Sequence, residues 1–577
     1  MRVLGIHDGH NASACLLEDG KVRYVFQEER LTNLKNYVGF PERSIRRILE
    51  LCRITLDQID EVAWASNYML DPYDPKKIGE LFEKEYRTPG RKTWERLVMA
   101  LRATAPGVYD RMLEKGRRRR AGHLRGMGYA GKVTFVEHHR AHAATAYFGS
   151  PWWPRGKVLV LTNDGAGDAL CSTVSVGEGG RMRRIAETSQ ADSLGHIYSR
   201  VTMLLGMVPL DHEYKVMGLA PYAPEEGGKK SYAILRRYLD LAAGGLTFRR
   251  QISEPLNFVY PRLRRDLDGH RFDWIAWGVQ QLTESLLTEW VRACVKATGI
   301  RTVAAAGGVF MNVKANQRIL QLPEVDRLFV YPSCGDESVS LGAAYAVYAD
   351  RRVEAGQEID LEGLGAIYWG DDFSEAEVRA TMEQEPFQGY DYERMTDADA
   401  EVANLLLHGE IVARCRGRME FGARALGNRS ILSDASDLRF VRPINAMIKS
   451  RDFWMPFAPV VLKERERDYI LNPKNAAAPY MILTFDTTEK RGDIVAALHQ
   501  ADFTARPQVL EHTWNPGYHR IVQAYEEETG RGGMLNTSFN LHGSPIVHGP
   551  REALSTFANS GLNYLAVGDF LFRKKRT

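Results

Sequence analysis

The chain has 577 residues, 44% of them hydrophobic and 26% charged. These are the proportions of an ordinary globular protein, with room for about three to five domains or two large ones. Lys and Arg total 76 and Asp and Glu 73, a net charge of +3, which argues against a dedicated nucleic-acid or membrane-surface binder, because those carry a large basic excess. The six cysteines are scattered, with no C-x-x-C pair, so neither a zinc ribbon nor a disulfide framework is expected, and free thiols fit a reducing cytosol. Charged residues break the opening apolar run at once (Arg2, then His7-Asp8), and no run approaches the ~20 apolar residues of a membrane helix. A cytoplasmic protein is expected.

In chain order, Val3–Ile6, Asn11–Leu17 and Lys21–Phe26 read as strands, with Asp19-Gly20 as the turn between the last two. Pro41–Leu51 has a helical period with Pro in its first turn. Residues 73–126 are rich in Lys and Arg and contain Arg117-Arg118-Arg119-Arg120. They read as an outer helical insertion whose basic run is a solvated face. Lys157–Leu161 is a buried-type strand, and Cys171–Val176 with Met182–Ala186 makes a second hairpin. Asp273–Thr298 reads as one long amphipathic helix, Thr302–Ala306 as a strand, and Leu341–Tyr348 as a small-residue helix in the core. Two β-rich starts, each followed by helices, suggest a duplicated α/β fold. Arg351–Gly363 is the linker candidate. Beyond it come a helix (Asp397–His408), a strand (Ile411–Cys415), a loop rich in Gly and Arg, and a closing strand (Tyr564–Phe572). This places one domain at 1–355 and another at 366–577.

His138 and His142 are four apart in Glu137-His138-His139-Arg140-Ala141-His142, so on a helix both imidazoles share a face, as two metal ligands require. The pattern is not H-E-x-x-H, which sets aside the zinc-protease reading. Asp164 closes an apolar strand and Asp336 precedes the Leu341 helix, positions where ligands collect in α/β folds. Each alone reads equally well as a turn or helix-start carboxylate. Together with the two histidines they make a mixed nitrogen and oxygen set suited to Fe(II), Mn(II) or Zn(II). In Asp8-Gly9-His10-Asn11, Asp8 is placed to hold the His10 ring in one tautomer and leave the other nitrogen to accept a proton, unless the segment is only a polar turn. Gly307-Gly308 ends a buried strand, and its amides are candidates for a phosphate, although no G-K-[ST] follows. In the last 200 residues, arginines cluster with glycines around Phe421–Ser430. Lys449, Arg451, Arg506 and Asn536-Thr537-Ser538 follow. Guanidinium forks in Gly-rich loops, without a net basic domain, suggest a buried polyanion site.

Several stretches carry a family resemblance: Gly5–Ser13, Glu28-Glu29-Arg30, Phe40-Pro41, Glu137–His142, Glu213–Ala220, Gly307-Gly308-Val309 with Asn312, and Phe421–Ser430. They resemble the O-carbamoyltransferases, among them the nodulation-factor, cephamycin, novobiocin and tobramycin enzymes, over essentially the whole chain. The resemblance implies an N-terminal duplicated actin-like/sugar-kinase (ASKHA) fold, similar to tRNA threonylcarbamoyl transferase, and a C-terminal YrdC-like α/β domain. It implies that the C-terminal domain makes carbamoyl adenylate from carbamoyl phosphate and ATP, and that the N-terminal domain passes the carbamoyl group to a hydroxyl at a metal site, with iron the family's metal and Mg an accompanying ion. Matched by motif, His138, His142, Asp164 and Asp336 are the implied metal ligands. His10 is the implied base with Asp8 beside it, and Lys35 is placed at the N-terminal site. Gly307, Gly308, Asn312, Arg424, Lys449, Arg506, Asn536 and Ser538 are the implied nucleotide and carbamoyl-phosphate contacts. The expected partners are a small hydroxylated acceptor, ATP, carbamoyl phosphate and a second copy in a homodimer. Two other readings stand beside this one: a tRNA-modifying carbamoyltransferase, disfavoured by the low net charge, and a non-catalytic nucleotide-binding regulator.

Overall fold

The computed structural model describes residues 1–68, 74–87, 106–384, 387, 390–449 and 451–574. Much of the predicted insertion (73 and 88–105) lies outside the described residues. The chain divides into two units, Met1–Glu28 with Asn36–Leu364, and Glu29–Lys35 with Gly365–Thr577.

The first unit repeats one connectivity. β1 (Arg2–His7), β2 (Ser13–Glu18) and β3 (Lys21–Gln27) form an antiparallel meander. β4 (Glu61–Ala65) pairs in parallel with β1, and β5 (Lys132–Val136) with β4, giving the order β3-β2-β1-β4-β5. β6 (Val158–Gly167), β7 (Leu170–Glu178) and β8 (Arg181–Ser189) form a second meander. After a small ribbon of β9 (Leu239–Leu241) and β10 (Phe248–Arg250), β11 (Thr302–Ala306) joins β6 in parallel and β12 (Arg327–Val330) joins β11. The order β8-β7-β6-β11-β12 matches that of the first sheet strand for strand. Both first strands are fully apolar where they run inside, Val3–Ile6 and Val158–Leu161, as strands covered on both faces must be.

Helices fix how these strands end. α1 (Glu42–Cys52) covers the first meander and stops at Arg53 in the left-handed region. α2 (Pro106–Gly126) is the longer described part of the insertion, whose residues 74–87 are also described. α3 (His138–Gly149) begins where Glu137 accepts hydrogen bonds from the His139 and Arg140 amides, satisfying donors that a helix start leaves open. α4 (Phe272–Thr298) closes on Gly299 at φ 71, and α5 (Val313–Gln321) is capped by Asn312, whose side chain accepts from the Ala315 amide. α6 (Val339–Glu354) is buried along Val339–Ala349. Its small residues bring backbones together: a Cβ on Gly342 would lie 2.0 Å from the Ala141 carbonyl oxygen of α3, and one on Gly5 of β1 would lie 2.2 Å from the Ser340 carbonyl oxygen. This approach sets the start of α3, the end of β1 and the Asp336 turn ahead of α6 side by side.

The second unit is one mixed eight-stranded sheet. Its strands are β13 (Asp391–Arg394), β14 (Val412–Cys415), β15 (Arg429–Ser433), β16 (Ala458–Leu462), β17 (Gln508–Leu510), β18 (Gly533–Ser538), β19 (Tyr564–Val567) and β20 (Phe570–Arg573). They lie in the order β13-β20-β19-β14-β15-β18-β16-β17. α7 (Ala398–Leu407) and α8 (Pro516–Thr529) share with the sheet a core of Val402, Leu406, Leu432, Val460, Ile521 and Met534. Three expectations change in detail. The closing strand is a hairpin, broken at Gly568 with φ 55. The linker candidate begins as helix up to Glu354, because Arg351 binds the Glu61 carboxylate through both Nε and Nη2 at 2.8 Å. The basic run of α2 is not a uniformly solvated face: Arg120 is buried, while Arg118 is exposed.

Gly342→Ala should lower stability by about 1–3 kcal/mol, because the added carbon meets a backbone oxygen that cannot rotate away. Urea unfolding of the two proteins measures this, and equal midpoints would contradict the packing described.

Candidate functional site

Four side chains from three separated stretches converge in the first unit. His138 and His142 occupy successive turns of α3, their Nε2 atoms 3.1 Å apart. His138 Nε2 lies 3.3 Å from Asp164 Oδ2 and 3.5 Å from Asp336 Oδ1, and His142 Nε2 lies 3.4 Å from Asp336 Oδ1. All four donor atoms are within 4.8 Å of one another. Neighbouring ligands about an ion with bonds of ~2.1 Å are ~3.0–3.4 Å apart, so two imidazoles and two carboxylates at these spacings fit a divalent transition ion.

The electrostatics point the same way. Burial and the Asp164 charge both oppose ionisation of Asp336, yet His138 and His142 hold it below the ordinary carboxylate value. Burial likewise opposes ionisation of Asp164, and the hydrogen bond from His138 with the nearby imidazoles lowers it. Burial alone would lower His138, but the carboxylates of Asp336 and Asp164 push it up to about 10. Two half-buried anions thus lie close together, a pairing that a cation between them would stabilise.

The surroundings orient these ligands. Ser66 Oγ lies 2.9 Å from His138 Nδ1, which leaves Nε2 facing the carboxylates. The Asp168 carboxylate accepts the amides of Asn67, Tyr68 and His138, each at 2.8 Å, joining the loop after β4 to the start of α3. His139, between the ligands in sequence, points elsewhere and bonds Thr162 Oγ1 at 2.9 Å. A Cβ on Gly167 would lie 2.1 Å from the His138 ring, so only glycine lets that ring sit there.

The other candidates of this unit divide. His10 is half-buried, its Nδ1 enclosed without a hydrogen bond. Its carbonyl accepts from His7 Nε2 at 3.1 Å, and that same nitrogen is 4.0 Å from Asp336 Oδ2. Burial lowers His7 to about 4, so a neutral His7 ties the His10 backbone to the cluster. Asp8 does not orient His10. Its carboxylate is taken by Arg120 Nε and Nη2 at 2.9 and 2.6 Å and by Trp64 Nε1 at 3.1 Å. Gly308 and Gly307 are not open to a phosphate through their amides. The Gly308 N–H donates to Asp164 Oδ1 at 2.9 Å and the Gly307 N–H to the Cys334 carbonyl at 2.8 Å. A Cβ on Gly308 would lie 2.7 Å from Asp164 Oδ1, so it is Gly308 that holds the carboxylate. Asn312 caps α5 and exchanges hydrogen bonds with Gln280 of α4 at 2.9 and 3.0 Å. Of the groups around the cluster, His7, Ser66, Asp168 and Arg120 escaped the sequence reading. His7 carried a signal, as the other histidine of His7-Asp8-Gly9-His10. The rest act through contacts dozens of residues away.

The second unit gathers cations. Burial first, then Arg451 and Lys35, hold the Lys449 ammonium well below its ordinary value, and burial, then Arg424 and Arg451, do the same to Arg506. Lys35 therefore groups with the second unit and not with the metal candidates. Lys449 Nζ donates to the Ser538 carbonyl and, at 2.8 Å, to Asn540 Oδ1, with Ser538 Oγ 3.2 Å away. Asn536 and Ser538 lie two apart on β18 and so share a face. Asn536 Nδ2 donates to the Ala425 carbonyl at 3.1 Å while its buried Oδ1 has no hydrogen bond. The arginine-rich stretch thus splits by role. Arg429 is buried against the carbonyls of His548 and Gly417, and Arg414 against that of Gly427. Both brace loops, whereas Arg424 and Arg506 belong to the cationic group.

Residues 2–345 match the family model described as carbamoyltransferase N-terminus, and residues 403–574 the one described as carbamoyltransferase C-terminus. Nodulation protein NolNO of Sinorhizobium fredii is 31% identical over 98% of this chain and 79% of its own length. Nodulation protein NolO of Bradyrhizobium diazoefficiens is 32% identical over 76% of this chain and 79% of its own. Among solved structures, HypF of T. kodakarensis superposes with a TM-score of 0.33 at 14% identity, covering 61% of this chain and 48% of that one, too loosely to carry an argument. With both family models matched in order along nearly its whole length, the chain belongs to the carbamoyltransferase family and is an enzyme of carbamoyl transfer.

Proposed function

We propose that the chain is an ATP-dependent O-carbamoyltransferase whose second unit makes carbamoyl adenylate from carbamoyl phosphate and ATP, and whose first unit transfers the carbamoyl group to a hydroxyl of a small molecule, a natural product or a sugar. The observation that carries this reading is the convergence of His138, His142, Asp164 and Asp336 within 4.8 Å in a chain whose family moves carbamoyl groups. The repeated sheets support an actin-like/sugar-kinase fold for the first unit. For the second, a YrdC-like fold follows from the resemblance and agrees with a mixed sheet that carries two of its candidate contacts, Asn536 and Ser538, on one interior strand.

A hydroxyl is a poor nucleophile at neutral pH. His10 takes its proton during attack, a role typically worth 10²–10⁴-fold. Neutral His7 keeps the His10 backbone beside Asp336. A divalent ion held by the four ligands, iron in the reading taken from the family, would supply positive charge to phosphoryl and carbonyl oxygens. Arg424 and Arg506 offer forks to phosphate oxygens, and Lys449 a compact charge steadied by Ser538 and Asn540. Lys35 and Arg451 add to the field that would hold a polyanion, and Asn536 offers a buried amide oxygen to a donor such as a carbamoyl NH₂. The buried placement of Arg120, with Arg117 half-buried over the Phe135 ring, weighs against reading the basic run as an RNA surface.

Mass spectrometry of a panel of hydroxylated metabolites should find a carbamoyl mass gain that requires both ATP and carbamoyl phosphate, and a gain independent of ATP would contradict the adenylate route. His10→Asn should abolish acceptor carbamoylation, by at least 100-fold, while sparing carbamoyl-phosphate-dependent ATP turnover. Arg424→Ala should lose both activities. Identical failure of the two variants at the first step would overturn this division of labour. Chelation should stop acceptor carbamoylation, and restoring Fe(II), Mn(II) or Zn(II) singly should identify the ion that supports it. Transfer that survives chelation would remove the metal from the account.

A further inference from the structure

The basic insertion has no part in the chemistry above, yet one of its residues reaches the site. We propose that Arg120 of α2 is a positioning residue for carbamoyl transfer, locking the loop that carries His10 and the loop that orients His138 to one guanidinium. This rests on the metal and base assignments proposed above.

The Arg120 fork grips two segments at once. Nε and Nη2 bind both oxygens of Asp8, at 2.9 and 2.6 Å. Nη1 donates to the Ser66 carbonyl at 2.7 Å and Nη2 to the Ala65 carbonyl at 3.0 Å. Asp8 lies two residues before His10. Ser66, held at φ 67, places its hydroxyl on His138 Nδ1 at 2.9 Å. From the other side the Asp168 carboxylate takes the amides of Asn67 and Tyr68, so the loop after β4 is held at its carbonyls by a cation and at its amides by an anion. The guanidinium lies 5.2 Å from the ring centres of both Trp64 and Phe135, which themselves stack at 5.7 Å. Side-chain exposures of 7% for Arg120 and 10% for Asp8 mean that solvent does not replace these bonds.

Only arginine supplies donors in the required fork: four acceptor atoms on three residues are met by its three nitrogens, and a lysine ammonium on a different stem cannot span them. Partners one shell outside a metal ligand fix its ring and tautomer, and their loss typically costs 10–100-fold in metal affinity or activity. The insertion helix thus delivers an internal cation, Arg120, to the site, while neighbouring Arg118 pairs with Glu114 on the outside, 75% exposed.

Cobalt(II) is the probe. Wild-type protein loaded with Co(II) should show a visible ligand-field spectrum. Arg120→Gln should shift that spectrum and lower kcat for acceptor carbamoylation by about 10–100-fold, with KM for carbamoyl phosphate and carbamoyl-phosphate-dependent ATP turnover within twofold of wild type. Arg120→Lys, which keeps the charge, should fold and still show the shifted spectrum and reduced kcat. Arg118→Gln on the exposed face should match wild type throughout. An unchanged spectrum and kcat in Arg120→Gln or Arg120→Lys, with only the melting temperature lowered, would overturn the positioning role while leaving the metal assignment intact. No cobalt spectrum in wild-type protein would overturn both.

Discussion

Two half-buried carboxylates set close together are the constraint on which the first unit turns. Asp164 and Asp336 come from opposite ends of that unit's second half, and water is largely excluded from both. Like charges this close would cost several kcal/mol if left uncompensated. The two imidazoles of α3 face them, and the carboxylates of Asp336 and Asp164 raise the His138 proton affinity against the opposing effect of burial. In the proposed reading a metal ion would suit such a site, because a proton on one histidine neutralises it only in part.

The backbone brings these groups together through close approaches that only glycine permits. Gly342 lets α6 lie against α3, Gly167 makes room for the His138 ring, and Gly308 turns an amide onto Asp164. These contacts join the two repeated sheets of the unit, since α3 follows the last strand of the first sheet and Asp164 lies near the end of the first strand of the second. Under the proposed function the repeat would act in the chemistry as well as in the architecture: each half offers donor atoms to a cluster that neither half could build alone. The second unit has the opposite sign: burial and the neighbouring charges of Lys35, Arg424 and Arg451 weaken the hold of Lys449 and Arg506 on their protons. A polyanion would stabilise such a group, as a cation would the first site.

Much of this was legible in the sequence wherever chemistry follows local spacing. The i, i+4 histidines could be read as one helix face, and Asp164 and Asp336 as strand-end and helix-start carboxylates. Paired hairpins foreshadowed the repeat. What escaped depends on distant contacts. Nothing near Asp8 in sequence announces that Arg120, 112 residues later, takes its carboxylate, so Asp8 was read as a partner for His10. Gly307-Gly308 has the composition of a phosphate loop, but its amides are spent on Asp164 and Cys334. Lys35 follows the first meander in the chain, yet it lies in a seven-residue segment grouped with the second unit. Arginines 414, 424, 429 and 506 look alike in a sequence. Only burial against particular carbonyls separates those that brace loops from those that face other cations.

The account stands or falls on what occupies the space among the four donor atoms. X-ray absorption of the purified protein, with elemental analysis, reads this directly. The account predicts about one transition-metal ion per chain in a shell of nitrogen and oxygen at ~2.1 Å. A metal-free protein that still transfers carbamoyl groups, or an ion ringed by sulfur, would contradict it.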